Sequence, residues 1–172
     1  MAAVLGPPTG PFLDLGTGAG VPGLVLAFAW PTSTGALLDS RGRRMEFLAE
    51  TLETLGLADR FRPIAARAED AARDPELRGR FGLVVARGFG APAVTAECAV
   101  AFLAPGGHLA VSEPPDSAPE TRWPEAALAQ LNFTKPEILK ANGTTVARLT
   151  LTAIPDTKWP RRAGVPTKRP LW

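Results

Sequence analysis

The chain has 172 residues, 45% of them hydrophobic and 21% charged, enough for one domain with its own core and too apolar for a disordered chain. Its single cysteine, Cys98, excludes a disulfide framework and a multi-cysteine metal site, so no metal is expected. Net charge is +2, no basic leader opens the chain, and the longest apolar stretch is too short to span a bilayer, so a cytoplasmic protein with no membrane partner is expected.

The predicted elements alternate strand, turn and helix. Phe12-Leu-Asp-Leu reads as a strand running into Gly16-Thr-Gly-Ala-Gly. A helix follows with Pro22 in its first turn, where a missing N–H costs nothing, and ends before Pro31. Gly35-Ala-Leu-Leu is a second strand stopping at Asp39. Arg43 to Leu57 is an amphipathic helix, because Met45, Leu48, Leu52 and Leu55 recur at spacings of three and four.

Phe61 to Ala66 is a third strand, with Glu69 and Asp70 expected in the loop after it. Phe81 to Ala86 is a continuous apolar run, as in a strand buried on both faces of a parallel sheet. A helix from Pro92 to Leu103 leads through Gly106-Gly107 into a fifth strand, His108 to Val111. A loop rich in Pro, Asp and Ser precedes a short helix, Trp123 to Leu131. Two last strands flank Asn142-Gly143, a two-residue hairpin signal.

From Pro155 the chain holds four prolines and is expected to run extended over the surface. Residues 157–172 carry five basic side chains and no acid, leaving 14 basic against 17 acidic residues elsewhere. Such a tail suits a polyanion at one edge or plain solvation, and charge alone favours solvation. The pattern predicts one α/β unit, a doubly wound and mostly parallel sheet with an antiparallel C-terminal hairpin. Residues 1–154 form the domain and 155–172 a tail packed on it.

The glycine turn matches two cofactor patterns. Gly16-x-Gly18-x-Gly20 is typical of turns that bind S-adenosylmethionine, and Gly18-x-Gly20-x-x-Gly23 with Asp39 fits a dinucleotide fingerprint. A pyrophosphate needs free N–H groups at the helix N-terminus; Pro22 removes one and Asp14 adds a carboxylate nearby. S-adenosylmethionine has no phosphate but carries a sulfonium and an ammonium, which an acid favours, so the methyl donor ranks first. Asp14, Gly16, Thr17, Gly18 and Gly20 are then the turn's cofactor candidates. Asp39 would accept from the ribose hydroxyls or cap the next helix, and Glu69 would approach the adenine or stay solvated.

Missing chemistry narrows the reaction. There is no tyrosine, and the one histidine, His108, sits at a strand start. Cys98 lies mid-helix among alanines and reads as packing rather than as a nucleophile. After the fourth strand the chain reads Ala86-Arg87-Gly88-Phe89, unlike the turn used to methylate exocyclic amines. Glu113-Pro114-Pro115 resembles that turn but follows the wrong strand. A neutral ring nitrogen with a free lone pair suits this chain, since in-line attack on it needs no general base. Arg87 and Glu113 are the catalytic candidates at the strand ends, with Arg87 also a cofactor candidate; a structural ion pair is the competing role for Arg87.

The segments Asp14-Leu-Gly-Thr-Gly-Ala-Gly-Val-Pro-Gly-Leu, Arg43-Arg-x-x-Phe-Leu, Arg67-Ala-Glu, Ala86-Arg87-x-Phe89 and Trp159-Pro-Arg-Arg-x-Gly-x-Pro-x-Lys-Arg-Pro-Leu together resemble the glucose-inhibited division protein B family. The resemblance implies a class I methyltransferase fold, S-adenosylmethionine as donor, and 16S ribosomal RNA or the small ribosomal subunit as partner, methylated at guanine N7. It also implies a monomer, adds Ala68 to the cofactor residues, and gives the tail a purpose. Arg161, Arg162, Lys168 and Arg169 would neutralise phosphates, with Trp159 stacking on a base. Two departures stand out: about ten residues precede the first strand where family members carry a helical segment, and the fifth strand ends in Ser112-Glu113 rather than Lys-Gly. A small-molecule methyltransferase and a non-catalytic paralogue are the alternatives.

Overall fold

The structure is a computed structural model, described here over residues 1–114 and 118–172. Seven strands form one sheet: β1 (Phe12–Leu15), β2 (Gly35–Asp39), β3 (Phe61–Ala65), β4 (Phe81–Ala86), β5 (Leu103–Glu113), β6 (Glu137–Ala141) and β7 (Thr144–Thr150). Their order is β3-β2-β1-β4-β5-β7-β6; the first five are mutually parallel and β7 runs antiparallel to both neighbours. The helices are α1 (Gly23–Ala29), α2 (Gly42–Thr54), α3 (Ala68–Ala71), α4 (Pro92–Val100), α5 (Pro119–Arg122), α6 (Glu125–Ala129) and α7 (Val165–Lys168).

The period-two alternation of a strand explains the two cores. Phe12, Leu83, Val85, Ala110 and Val146 face one side and pack under α1, α2 and the N-terminal residues. Leu13, Leu15, Val84, Ala86, Leu109 and Ala147 face the other and pack under α3, α4, α6 and Trp159. Central strands covered on both faces need the unbroken apolar runs that the sequence shows. The same alternation turns Asp14 toward the α1 side between Leu13 and Leu15, and there it is fully buried.

Several expectations are corrected. The loop after β3 contains a helical turn, α3, which buries Glu69. β5 begins at Leu103, slips register between Phe81 and Leu83, and then pairs His108–Val111 with Leu83–Ala86. The helix expected over Trp123–Leu131 is shorter, α6 starting after its N-cap Pro124, and the loop expected before it contains a further turn of helix, α5, that Pro124 does not continue. Asn142 and Gly143 both take positive φ, 49° and 70°, which closes the expected hairpin. The Glu113-Pro114-Pro115 segment lies partly outside the described residues. The tail is not simply extended: Trp159 is buried, and α7 forms after it with its Pro166 buried.

Candidate active site

Strand order reverses between β1 and β4, and a crevice opens at the C-terminal ends of strands at such a switch point. A cavity of about 310 Å³ lies there, bounded by Gly16 after β1, Asp39 at the end of β2, Ala66 to Glu69 after β3, and Gly88-Phe89 after β4. Arg41 at the N-cap of α2, Arg44 within α2, Cys98 from α4 and Thr167 from α7 also form its wall.

The glycines of the turn do two different jobs. Gly16 takes φ +71°, and a Cβ there would lie 2.5 Å from the Phe89 ring. Gly18 takes φ +58° and borders open space, with only Arg44 within reach of an added Cβ. Gly20, expected among the cofactor residues, instead packs inward: an added Cβ would strike Leu24 at 2.5 Å and Leu48 at 3.0 Å. Its smallness lets α1 settle on α2, so its part in the cradle is structural.

Asp14 carries the electrostatics. Its Oδ2 accepts from the Thr17 hydroxyl at 2.6 Å and from the Gly23 N–H at 2.7 Å. Its Oδ1 is buried without a hydrogen-bond partner among the described residues. Burial pushes the carboxyl up to about 6; the charge of Asp39 adds to this, and the two hydrogen bonds oppose it. The α1 N-terminus is therefore closed to a pyrophosphate: Pro22 has no N–H, and the Gly23 N–H is already held by a carboxylate. Thr17, expected on the cofactor, is buried and spends its hydroxyl on Asp14.

Asp39 faces the cavity. Its Oδ1 accepts from the Arg41 N–H at 3.0 Å, and its Oδ2 from the Gly18 N–H at 3.1 Å. Arg44 Nη1 stands 3.4 Å from Oδ2, at the edge where a ribose diol would approach. Arg44 stood in the sequence only as part of the Arg43-Arg-x-x-Phe-Leu segment, with no role at the site attached to it. Cys98 forms part of the inner wall, its thiol pushed up by burial first and by Glu69 and Glu97 next, to a range where no thiolate forms at neutral pH.

Arg87 and Glu113 border a second cavity, of about 360 Å³, with Val21, Pro22 and Val25 of the α1 side, Ser112, and Thr144-Thr145. Arg87 is exposed and does not line the first cavity, so the two sets of candidates separate into two neighbouring hollows. Glu113, a catalytic candidate from the sequence, has its side chain wholly buried. One oxygen accepts from Arg122 Nε at 2.6 Å and the other from Trp123 Nε1 at 2.9 Å. Both oxygens are spent on holding α5, so the carboxylate supports the pocket floor from beneath.

The tail departs furthest from expectation. Trp159 is only 6% exposed, covered by Lys158 and Arg161, and is not available for stacking on a base. Arg161 gives Nε and Nη2 to the fully buried Glu97, at 2.8 and 2.5 Å, so it is spent on an internal ion pair rather than on phosphates. Arg162, Lys168 and Arg169 remain exposed. Among the described residues no group of three His, Cys, Asp or Glu could hold a metal ion, and no helix is long and apolar enough to cross a membrane.

Comparison with known proteins agrees with this architecture. The chain is similar over residues 5–143 to the GidB family, rRNA small subunit methyltransferase G. It is 40% identical over 168 residues to the ribosomal RNA small subunit methyltransferase G of Deinococcus deserti, covering 93% of this chain and 68% of that protein. The corresponding protein of Prochlorococcus marinus is 34% identical, with 93% and 67% covered. Among solved structures it resembles a 16S rRNA adenine N1-methyltransferase variant from Catenulisporales acidiphilia, with a TM-score of 0.66 at 18% identity over 87% of this chain and 88% of that one. The antibiotic-resistance methyltransferase Kmr gives 0.65 at 18% identity, with 87% and 90% covered. These two likenesses carry the fold, and the sequence relatives carry the family: the chain belongs to the rRNA small subunit methyltransferase G family of S-adenosylmethionine-dependent methyltransferases.

Proposed function

We propose that this protein methylates N7 of a guanine in small-subunit ribosomal RNA, acting as a monomer in the cytoplasm. The observation that carries the reading is a glycine cradle closed to a pyrophosphate: Gly16 and Asp39 line the cavity, Asp39 accepts from the Gly18 N–H, and the unpartnered Asp14 Oδ1 is buried two residues before Gly16. These residues fit S-adenosylmethionine, which when bound supplies a methyl group on a cationic sulfur. Asp39 Oδ2 would hold the ribose after Arg44 swings aside. Ala68, small and buried, leaves room for the adenine between α3 and Phe89. Asp14 places negative charge behind the turn, where a cationic ligand is favoured.

The second cavity suits a base drawn out of its stack. Val21, Pro22 and Val25 offer an apolar wall for a ring face, and Ser112, Thr144 and Thr145 offer hydroxyls to a polar edge. Guanine N7 carries a lone pair and no proton, so the site needs alignment and exclusion of water rather than a base. Glu113 is unsuited to proton transfer in any case, because both its oxygens are taken. Arg87, exposed at the mouth, would orient the base or its phosphate. Arg87→Ala is expected to lower turnover about tenfold or more with little change in melting temperature, measured by methyl transfer to deproteinised 16S RNA and to small subunits. A variant that transfers methyl groups at the wild-type rate removes Arg87 from the acceptor site.

A further inference from the structure

The tail crosses the molecule in a way that joins its two surfaces. Gly164, in the left-handed conformation at φ +80°, donates its N–H to Glu69 Oε1 at 2.8 Å, and Glu69 lines the first cavity. Three residues on, Thr167 forms part of that same cavity's wall. Upstream, the Arg161 backbone N–H, Nε and Nη2 donate to the buried Glu97, and Nη2 donates also to the Arg169 carbonyl at 2.7 Å. Arg73 and Arg78 grip the carbonyls of Pro160 and Trp159 at 3.1 and 2.9 Å. Two buried carboxylates, 64 and 95 residues distant along the chain, are thus spent on fixing one short segment. On its outer side the same segment presents Arg162, Lys168 and Arg169 to solvent.

We infer that residues 159–169 are a latched strap, shared between the cofactor pocket inside and a phosphate-binding surface outside, so that cofactor and RNA each tighten the binding of the other. The inference rests on the reading of the two sites given above. A ligand on the inner face and a polyanion on the outer face both favour the latched position, and linkage makes the effect reciprocal. Glu97 and Arg161 are positioning residues here, since Glu97 lines neither cavity.

The test is calorimetric titration of S-adenosylhomocysteine with and without a deproteinised 16S RNA fragment, and of the RNA with and without S-adenosylhomocysteine. The wild-type protein is expected to show both affinities rising by the same factor, about fivefold or more. The paired variant Glu97→Gln/Arg161→Gln, which removes the latch's ion pair without stranding a buried charge, is expected to lose this coupling to below about twofold. Arg161→Lys is expected to keep much of it. Coupling that persists in the paired variant, or its absence in a wild-type protein that binds both ligands, overturns the strap while leaving the proposed function standing. A wild-type protein that does not bind S-adenosylhomocysteine at all overturns the proposed function instead.

Discussion

Asp14 shows how one residue ties folding to function. Its carboxyl titrates near 6 in the folded chain against an ordinary 3.8, because burial penalises the charge. The unfolded chain gives up this proton first, so between these two values each rise in pH costs stability, to a total of about 3 kcal/mol at about 1.4 kcal/mol per unit. Asp14→Asn should flatten the denaturation midpoint over that window. It should also weaken cofactor binding about tenfold, and remove the loss of affinity expected of the wild-type protein as pH falls below about 6. A variant with the wild-type pH profile would show that the carboxylate does not sense the cofactor's charge. Asp14 was legible in the sequence as an acid before a glycine turn. Its unpartnered oxygen was not, because that depends on what Leu37, Gly23 and Thr17 place around it.

At the scale of an element, the glycine turn separates packing from binding. Gly20→Ala forces a Cβ into Leu24 and an unfavourable positive φ, and is expected to cost about 1–3 kcal/mol in denaturant titration. Gly18→Ala has room for the methyl and pays mainly the backbone term, about 1 kcal/mol, yet should lose cofactor affinity disproportionately. Equal loss of stability and of affinity in both variants would contradict the division. The turn and the strands before and after it were readable because their signals are local: alternation, glycine spacing, a proline in the first turn. Helices of barely one turn were not. The four residues of α3 carry no amphipathic pattern, and with them went the burial of Glu69. The turn of α5 before Pro124 was likewise too short to show a pattern.

At the scale of the whole molecule, the tail's composition was legible and its role was not. Five basic residues without an acid suggested one polyanion-binding arm, but Arg161 answers a carboxylate 64 residues away and Trp159 fills the core under α4. Long-range pairing of this kind leaves no trace in local spacing. The exposed cations should behave differently from the half-buried, paired Arg161. Replacing Arg162, Lys168 and Arg169 together with Gln should reduce the slope of log affinity for RNA against log salt by about 2, at about 0.7 per phosphate contact, with stability unchanged. An unaltered slope would place the RNA elsewhere.

The most direct test of the account is mass spectrometry of small-subunit ribosomal RNA digests from cells with and without this gene. The prediction is one guanosine methylated at N7 that disappears with the gene and returns with the wild-type copy but not with Asp39→Ala. An identical set of methylated nucleotides in both strains, or a lost methyl group on an exocyclic amine or a ribose, would contradict it.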